Sequence, residues 1–260
     1  MTGLLAATRP PEPFEAPGLE IFEAPCLAEL GPVCVDRVML YMILGSLLVI
    51  GLFVVAARRS ELVPRGVRNL VESIVDFVQE QIAIPVIGDE GRQWVPFLTS
   101  LFSFILVNNI FGIIPGAQFP VTSRMAIPAF LAALVWVLFI AMGFRHQGVG
   151  YLKSVLFPPG VPKPIYILLT PIEFVSTFLV RPLTLSVRLL ANMMAGHLVL
   201  TIFFLGTAYL VFAPPYVFGV AAFALGTALV AFELLVAVLQ AYIFTILTAV
   251  YIGGAINPDH

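Results

Sequence analysis

From residue 38 onward the chain alternates long apolar runs with short polar ones. Val38 to Ala57 is twenty residues without a charge, closed by Arg58 and Arg59. An α-helix of that length crosses a hydrocarbon core of about 30 Å, so a first transmembrane helix is expected at 38–57. Over 63–87 the pattern changes. Val67, Leu70, Val71, Ile74, Val75, Val78 and Ile82 recur at helical spacing, while Asn69, Glu72, Ser73, Asp76, Gln79 and Glu80 fill the other face. This pattern predicts an interfacial amphipathic helix, and its acidic face suits a protein neighbour better than anionic lipid. Gln93–Ile114 and Ala126–Phe144 are two further apolar runs joined by a turn with Pro115, Gly116 and Pro120, so 93–148 reads as a transmembrane hairpin. After the breakers Pro158, Pro159, Gly160, Pro162 and Pro164, an apolar stretch runs from Ile165 to Ile256, with one strong break at Pro214-Pro215. As straight helices its halves, about 48 and 42 residues, would reach about 72 and 63 Å, more than twice the hydrocarbon thickness. They must tilt, break or cross incompletely, and 164–256 is expected as a long tilted helical hairpin.

Composition changes the solvent. Of 260 residues 60% are hydrophobic and 11% charged, less than half the charged share of a soluble domain. Too little polar surface exists to cover a compact particle in water, so lipid must solvate much of the chain. In lipid, backbone groups must be satisfied within each segment, which these run lengths allow only for helices. The expected fold class is an all-α membrane protein: about five transmembrane helices plus one interfacial amphipathic helix, the last two helices long and strongly tilted. A formal net charge of -2 gives no support to nucleic-acid binding.

Residues 1–37 carry Glu12, Glu15, Glu20, Glu23, Glu29 and Asp36 among six prolines, without the apolar core of a signal peptide. They read as an irregular polar arm. Cys26 and Cys34, eight apart, fit either a small disulfide in an oxidising compartment or two thiols. If the spans alternate, Arg58, Arg59, Arg65, Arg68, Arg92, Arg145, Lys153 and Lys163 share one side, against Arg9, Arg37 and Arg124 on the other. The richer side is cytoplasmic, which puts the N-terminal arm outside and the C-terminus inside.

Between Ile165 and Ile256 stand four formal charges, Glu173, Arg181, Arg188 and Glu233, and one histidine, His197. An ionised side chain near mid-bilayer costs about 3 kcal/mol on insertion scales, so such groups are kept for a pathway or a partner. Glu173 and Arg181, near the start of their run, can equally snorkel to the interface. Arg188 sits mid-run, cannot shed its proton, and lies about 22 Å along a straight helix from Glu173. Asn192 follows on its face among the small residues Ser186, Ala191, Ala195 and Gly196, which let another helix approach. His197 points away from that face. Glu233 and Gln240, seven apart with Ala237 between, form a polar track. If the halves fold back on one another, His197 and Glu233 make a proton-carrying pair; the competing reading is an interhelical hydrogen bond without traffic. Of Asn108 and Asn109, at least one is helix-helix glue. No phosphate-cradling loop, metal-ligand cluster or nucleophile beside a base is present in the sequence, so no cofactor and no metal is expected.

The run Arg181-Pro-Leu-Thr-Leu-Ser-Val-Arg188-Leu-Leu-Ala-Asn192-Met-Met-Ala-Gly196-His197, followed by Glu233-Leu-Leu-Val-Ala-Val-Leu-Gln240-Ala-Tyr-Ile-Phe-Thr-Ile-Leu-Thr-Ala-Val-Tyr251, closely resembles subunit a of the F-type ATP synthase. The resemblance covers the last two helices in detail and the earlier spans in outline. It implies a non-catalytic proton channel subunit with two offset half-channels, which load and unload protons on the carboxylates of a rotating c-ring while ATP chemistry happens in other subunits. Residue by residue, Arg188 falls on the family's arginine facing the ring, and Asn192 and Gln240 on polar positions near it. His197 and Glu233 fall on a titratable pair whose identities exchange between lineages, lining the half-channel open to the outside. Asn109, six residues before Pro115, falls beside that channel. Glu173 resembles an acidic residue near the inner half-channel, although its spacing to Pro182 departs from some members. The implied partners are the c-ring proteolipids, peripheral-stalk b-type subunits and membrane lipid, within a large hetero-oligomeric complex. The acidic arm and the lack of a targeting segment point to a bacterial plasma membrane, and the His197–Glu233 pair favours H+ over Na+ as the coupling ion.

Two other classes compete. A secondary ion transporter predicts an internal repeat with helices interrupted at corresponding positions, which the sequence does not display. A membrane scaffold would use the polar residues as packing glue and leaves Arg188 unexplained. Copurification separates them: an SDS-resistant ring of small proteolipids is expected to come with this chain, and its absence from a mild-detergent preparation counts for the rivals.

Overall fold

The structure, a computed structural model, describes residue 18 and residues 26–30, 33–58, 66–114, 121–157, 163–211 and 216–256. The first described feature corrects the expectation of a wholly irregular arm. Strands β1 (Cys26–Leu30) and β2 (Val33–Asp36) pair antiparallel. The β-branched Val33 and Val35 have the propensity that a short ladder needs. The register sets Cys26 opposite Asp36 and Cys34 opposite Glu29, not the cysteines opposite each other. The cysteine side chains, and with them the question of a bridge, lie outside the described residues.

Asp36 ends β2 and starts the first long helix, α1 (Arg37–Arg58). Its Oδ1 accepts the Met39 backbone N–H at 2.8 Å, capping a donor that the helix leaves free. The same buried carboxylate forms an ion pair with Arg124. Arg124 follows a 3-10 turn, Val121–Ser123, whose residues are all buried. That turn packs on α1 and on two later helices, α4 (Val95–Ile113) and α8 (Arg181–Leu210). We call it the strap.

The amphipathic segment folds as α2 (Val67–Val78), a π-helical turn (Gln79–Ala83) and a short α3 (Ile84–Ile87). Val71, Val78 and Ile82 of the expected stripe are buried, whereas Leu70 remains 54% exposed. The segment packs on α1, α4 and the last helix, α9 (Val217–Ile256). A 3-10 turn, Asp89–Trp94, leads into α4. Then come α5 (Ala126–Gln147), the short α6 (Gly150–Leu156), α7 (Tyr166–Val175), a second π turn (Ser176–Val180), α8 and α9.

Five helices among the described residues are long and apolar enough to cross a membrane: Arg37–Arg58, Asp89–Ile113, Ala126–Gln147, Tyr166–Leu210 and Val217–Ile256. The fold is an all-α membrane bundle with the hairpin at its N-terminal end. Its core gathers Leu98 and Ile105 of α4, Val135 and Phe139 of α5, Leu189 of α8, and Phe244 and Ile252 of α9. The last two long helices span 45 and 40 residues, yet in their most apolar windows only 17% and 11% of residues are buried inside the chain. Most of that surface faces lipid or another subunit.

Both π turns have one local cause. Each ends two residues before a proline, Pro85 in the first case and Pro182 in the second. A helical proline lacks the N–H that would reach the carbonyl four residues back, and its ring clashes with that carbonyl. The turn relieves the clash by widening. Ile84 N–H bonds Gln79 O and Arg181 N–H bonds Ser176 O, five residues back in both.

Arg124→Ala leaves the Asp36 carboxylate buried without its counter-charge, a cost of about 1–3 kcal/mol. Asp36→Asn keeps a capping oxygen and removes the charge. We expect Arg124→Ala to lower the thermal stability of the purified complex more than Asp36→Asn does, and the double variant to recover part of the loss. A double variant whose loss equals the sum of the two single losses would show that the pair is not coupled.

Candidate functional site

α8 and α9 run antiparallel along each other. Gly219 lies against Leu210 and Val211, Gly226 against Phe203, Gly196 against Glu233, and Arg181 stacks on Tyr251 at 5.3 Å from the ring centroid. One member of each pair advances as the other retreats. Interpolating along this register sets Gln240 level with the turn between Arg188 and Asn192.

Arg188 lies on an exposed stripe of α8 with Thr184, Ala191, Ala195 and Val199, opposite the buried Ser186 and Met193. Toward its start, at Thr184, Arg188 and Ala191, the stripe is open, and at Ala195 and Val199 it borders a cavity against α9. Among the described residues, ion pairs join Arg68 to Glu72 and Arg124 to Asp36, and neither involves Arg188. A guanidinium stays charged in any protein environment, so its counter-charge must come from outside these residues.

Glu233 sits in the α8–α9 interface, 9% exposed, in a cavity that Ala195 and Val199 of the same stripe help to line. It fits there because Gly196 has no side chain: a Cβ at that position would collide with the Glu233 carboxyl group. Glu233 Oε2 and Gln240 Nε2 are buried without hydrogen-bond partners among the described residues. Glu233 and Asn192 line one cavity of about 230 Å³. His197 lines a second, of about 350 Å³, with Thr201 and, from the end of α4, Gly112 and Ile113. The two titratable groups expected as a pair therefore flank α8 from different cavities.

The two asparagines of α4 divide their work. Asn108 Nδ2 donates to Phe104 O at 2.8 Å, and its carboxamide occupies the space that a side chain at Gly45 of α1 would need. It packs the α1–α4 contact, as the glue reading expects of one of them. Asn109 Oδ1 accepts the Thr122 hydroxyl at 3.4 Å, tying α4 to the strap.

A third cavity, about 350 Å³, joins Glu173 of α7 to Arg181 of α8, with Tyr151, Ser154 and Tyr251. Eight residues of plain α-helix would turn Arg181 about 80° away from Glu173. The π turn between them absorbs about one residue and brings both to nearly the same side. Arg181 stacks on Tyr251 at the edge of this cavity. Gln147 braces the cavity, donating from Nε2 to Ala255 O at 2.9 Å and accepting the Ser154 hydroxyl on Oε1 at 2.9 Å. Burial pushes the Tyr151 phenol up, with the Arg181 charge pulling the other way, so it stays protonated near neutral pH. The sequence reading missed Tyr151, Ser154 and Gln147. They lie outside the resembling run and reach Arg181 only through the fold.

Among the described residues no group of three or more His, Cys, Asp or Glu side chains is placed to hold a metal ion. The arrangement has the means to hold and pass protons, through a carboxyl, an imidazole and buried amides beside a fixed cation. The model of the family described as ATP synthase A chain matches residues 39–253. Similar proteins, each named ATP synthase subunit a, include one from Frankia alni, 49% identical and aligned over 94% of this chain and 86% of its own. One from Parafrankia sp. is 52% identical over 82% and 72% respectively. Another, from Rhodococcus erythropolis, is 43% identical over 98% and 95%. With nearly the whole membrane region matched, the chain belongs to the ATP synthase A chain family.

Proposed function

We propose that this chain is the proton-translocating, non-catalytic stator subunit a of a bacterial F-type ATP synthase, embedded with several passes in the plasma membrane. The observation that carries the reading is Arg188: a permanent cation on the outward face of an apolar helix, without an ion-pair partner among the described residues. A cation so placed calls for a partner that presents carboxylates within the membrane, which is what a ring of proteolipids does.

Protons enter from outside past Asn109 and reach the rotor by way of His197, Glu233 and Gln240. A rotor carboxylate that takes one becomes neutral and can face lipid without the cost of burying an ion. After nearly a full turn it meets the inner half-channel, where Glu173 receives the proton. The resulting anion is stabilised opposite Arg188, beside Asn192. Arg188 also blocks a leak, since a fixed cation between the half-channels repels a proton crossing without the rotor. In this reading the N-terminal arm lies outside and the C-terminus in the cytoplasm. The 164–256 hairpin faces the c-ring, and the acidic 63–87 segment and the outer surface of the 38–57 helix meet lipid and the b-type subunits of the peripheral stalk.

Arg188→Ala is expected to abolish ATP synthesis driven by a proton gradient while the complex still assembles. Coupled synthesis at the normal rate, measured in reconstituted vesicles, would falsify the assignment. Glu233→Ala and His197→Ala, taken separately, are expected to slow passive proton flux through the membrane sector severalfold. If neither changes that flux, the outer half-channel does not run through these residues, whatever the fate of Arg188.

A further inference from the structure

The cavities that hold Glu233 and His197 have one lining residue in common, Leu200. Around α8 the division is regular. Asn192, Ala195, Gly196 and Val199 face the Glu233 cavity, and His197 and Thr201 face the other. Leu200 stands one turn beyond both Gly196 and His197, at the seam of the two faces, and is buried to 8% exposure. Polar groups wait on either side: His197 and the Thr201 hydroxyl in one cavity, Asn192 and the unpartnered Glu233 Oε2 in the other. The seam itself is aliphatic.

We propose that Leu200 is the apolar septum between the cavity that holds His197 and the cavity that holds Glu233, and that it sets how readily water carries a proton from one to the other. A water at an aliphatic constriction loses hydrogen-bond partners, so a water file breaks there unless polar groups on both sides hold its ends, and such constrictions gate by dewetting. His197 and Glu233 then exchange protons through an intermittent water connection, not by direct contact. Leu200 is a positioning residue for water; it carries no proton. The inference rests on the outer half-channel proposed above.

The test uses the intact complex in membrane vesicles whose outer face is accessible, with Cys26 and Cys34 changed to Ser. Thr201→Cys reports the His197 cavity and Leu229→Cys the Glu233 cavity, since each lines only that one. The probe is silver ion added outside, small enough to follow water and reactive with the thiolate, with its rate of block read on proton flux. Thr201→Cys is expected to react quickly whatever stands at 200. Leu229→Cys is expected to react slowly beside Leu200 and severalfold faster beside Leu200→Ala, or beside the milder Leu200→Val if the alanine variant does not assemble. Leu200→Phe is expected to lower passive proton flux severalfold without changing the Thr201→Cys rate. Should Leu229→Cys react at one rate whatever stands at 200 while Thr201→Cys reacts quickly, the septum is refuted and the outer half-channel stands. Failure of Thr201→Cys to react from outside removes the half-channel reading itself, and the septum with it.

Discussion

A guanidinium cannot discharge itself, and a hydrocarbon phase cannot solvate it. Other buried ionisable side chains have a neutral form to fall back on; Arg188 does not. The chain sets this cation on the outward stripe of α8 and supplies no carboxylate for it among the described residues. Its own acids are committed elsewhere, Glu233 inside the α8–α9 interface and Glu173 in the cavity with Arg181. The rest of the architecture follows from holding that charge at depth while leaving its partner side open. Two helices far longer than the membrane is thick present a broad apolar face, little of it covered by the chain itself.

That face needs rigid support from behind, which comes from packing. α4 and α5 bury Leu98, Ile105, Val135 and Phe139 against Leu189, Phe244 and Ile252, so the surface opposite the Arg188 stripe is a close-packed core. Gly196 lets the Glu233 carboxyl group fit between two helices that a methyl group would hold apart. At the other end the strap, joined to β2 and α1 by the Arg124–Asp36 pair and to α4 by the Thr122–Asn109 hydrogen bond, holds the α4–α5 connection against α8. These contacts fix how closely α4, α8 and α9 stand to one another.

Two prolines do more for the site than their role as helix breakers suggests. Pro182 widens the preceding turn, and the phase shift turns Glu173 toward Arg181. Pro85 widens the turn before α3, which packs on the end of α9. In both the helix continues through the proline, with the residue before it, Ile84 or Arg181, bonding a carbonyl five residues back. Pro85 and Pro182 each mark a change of helical phase, not an end.

Much was legible in the residues alone. A side chain's partition between lipid and water depends on its own chemistry, so run length and polarity determined the apolar spans, the amphipathic segment and the isolation of Arg188. Where a side chain points was another matter. A helix of uniform phase turns Arg181 about 80° away from Glu173, and His197 and Glu233 pair only if the two halves fold back on one another. The fold reverses the first, through a widened turn, and sets the second in separate cavities divided at Leu200. Gln147 and Tyr151 join the site through contacts with Ala255 and Arg181, far away in sequence. The sequence by itself determined which groups carry charge into the membrane. Only the tertiary structure decided which of them share a cavity, because that depends on the phase and register of helices packed against distant segments, and no local pattern encodes either.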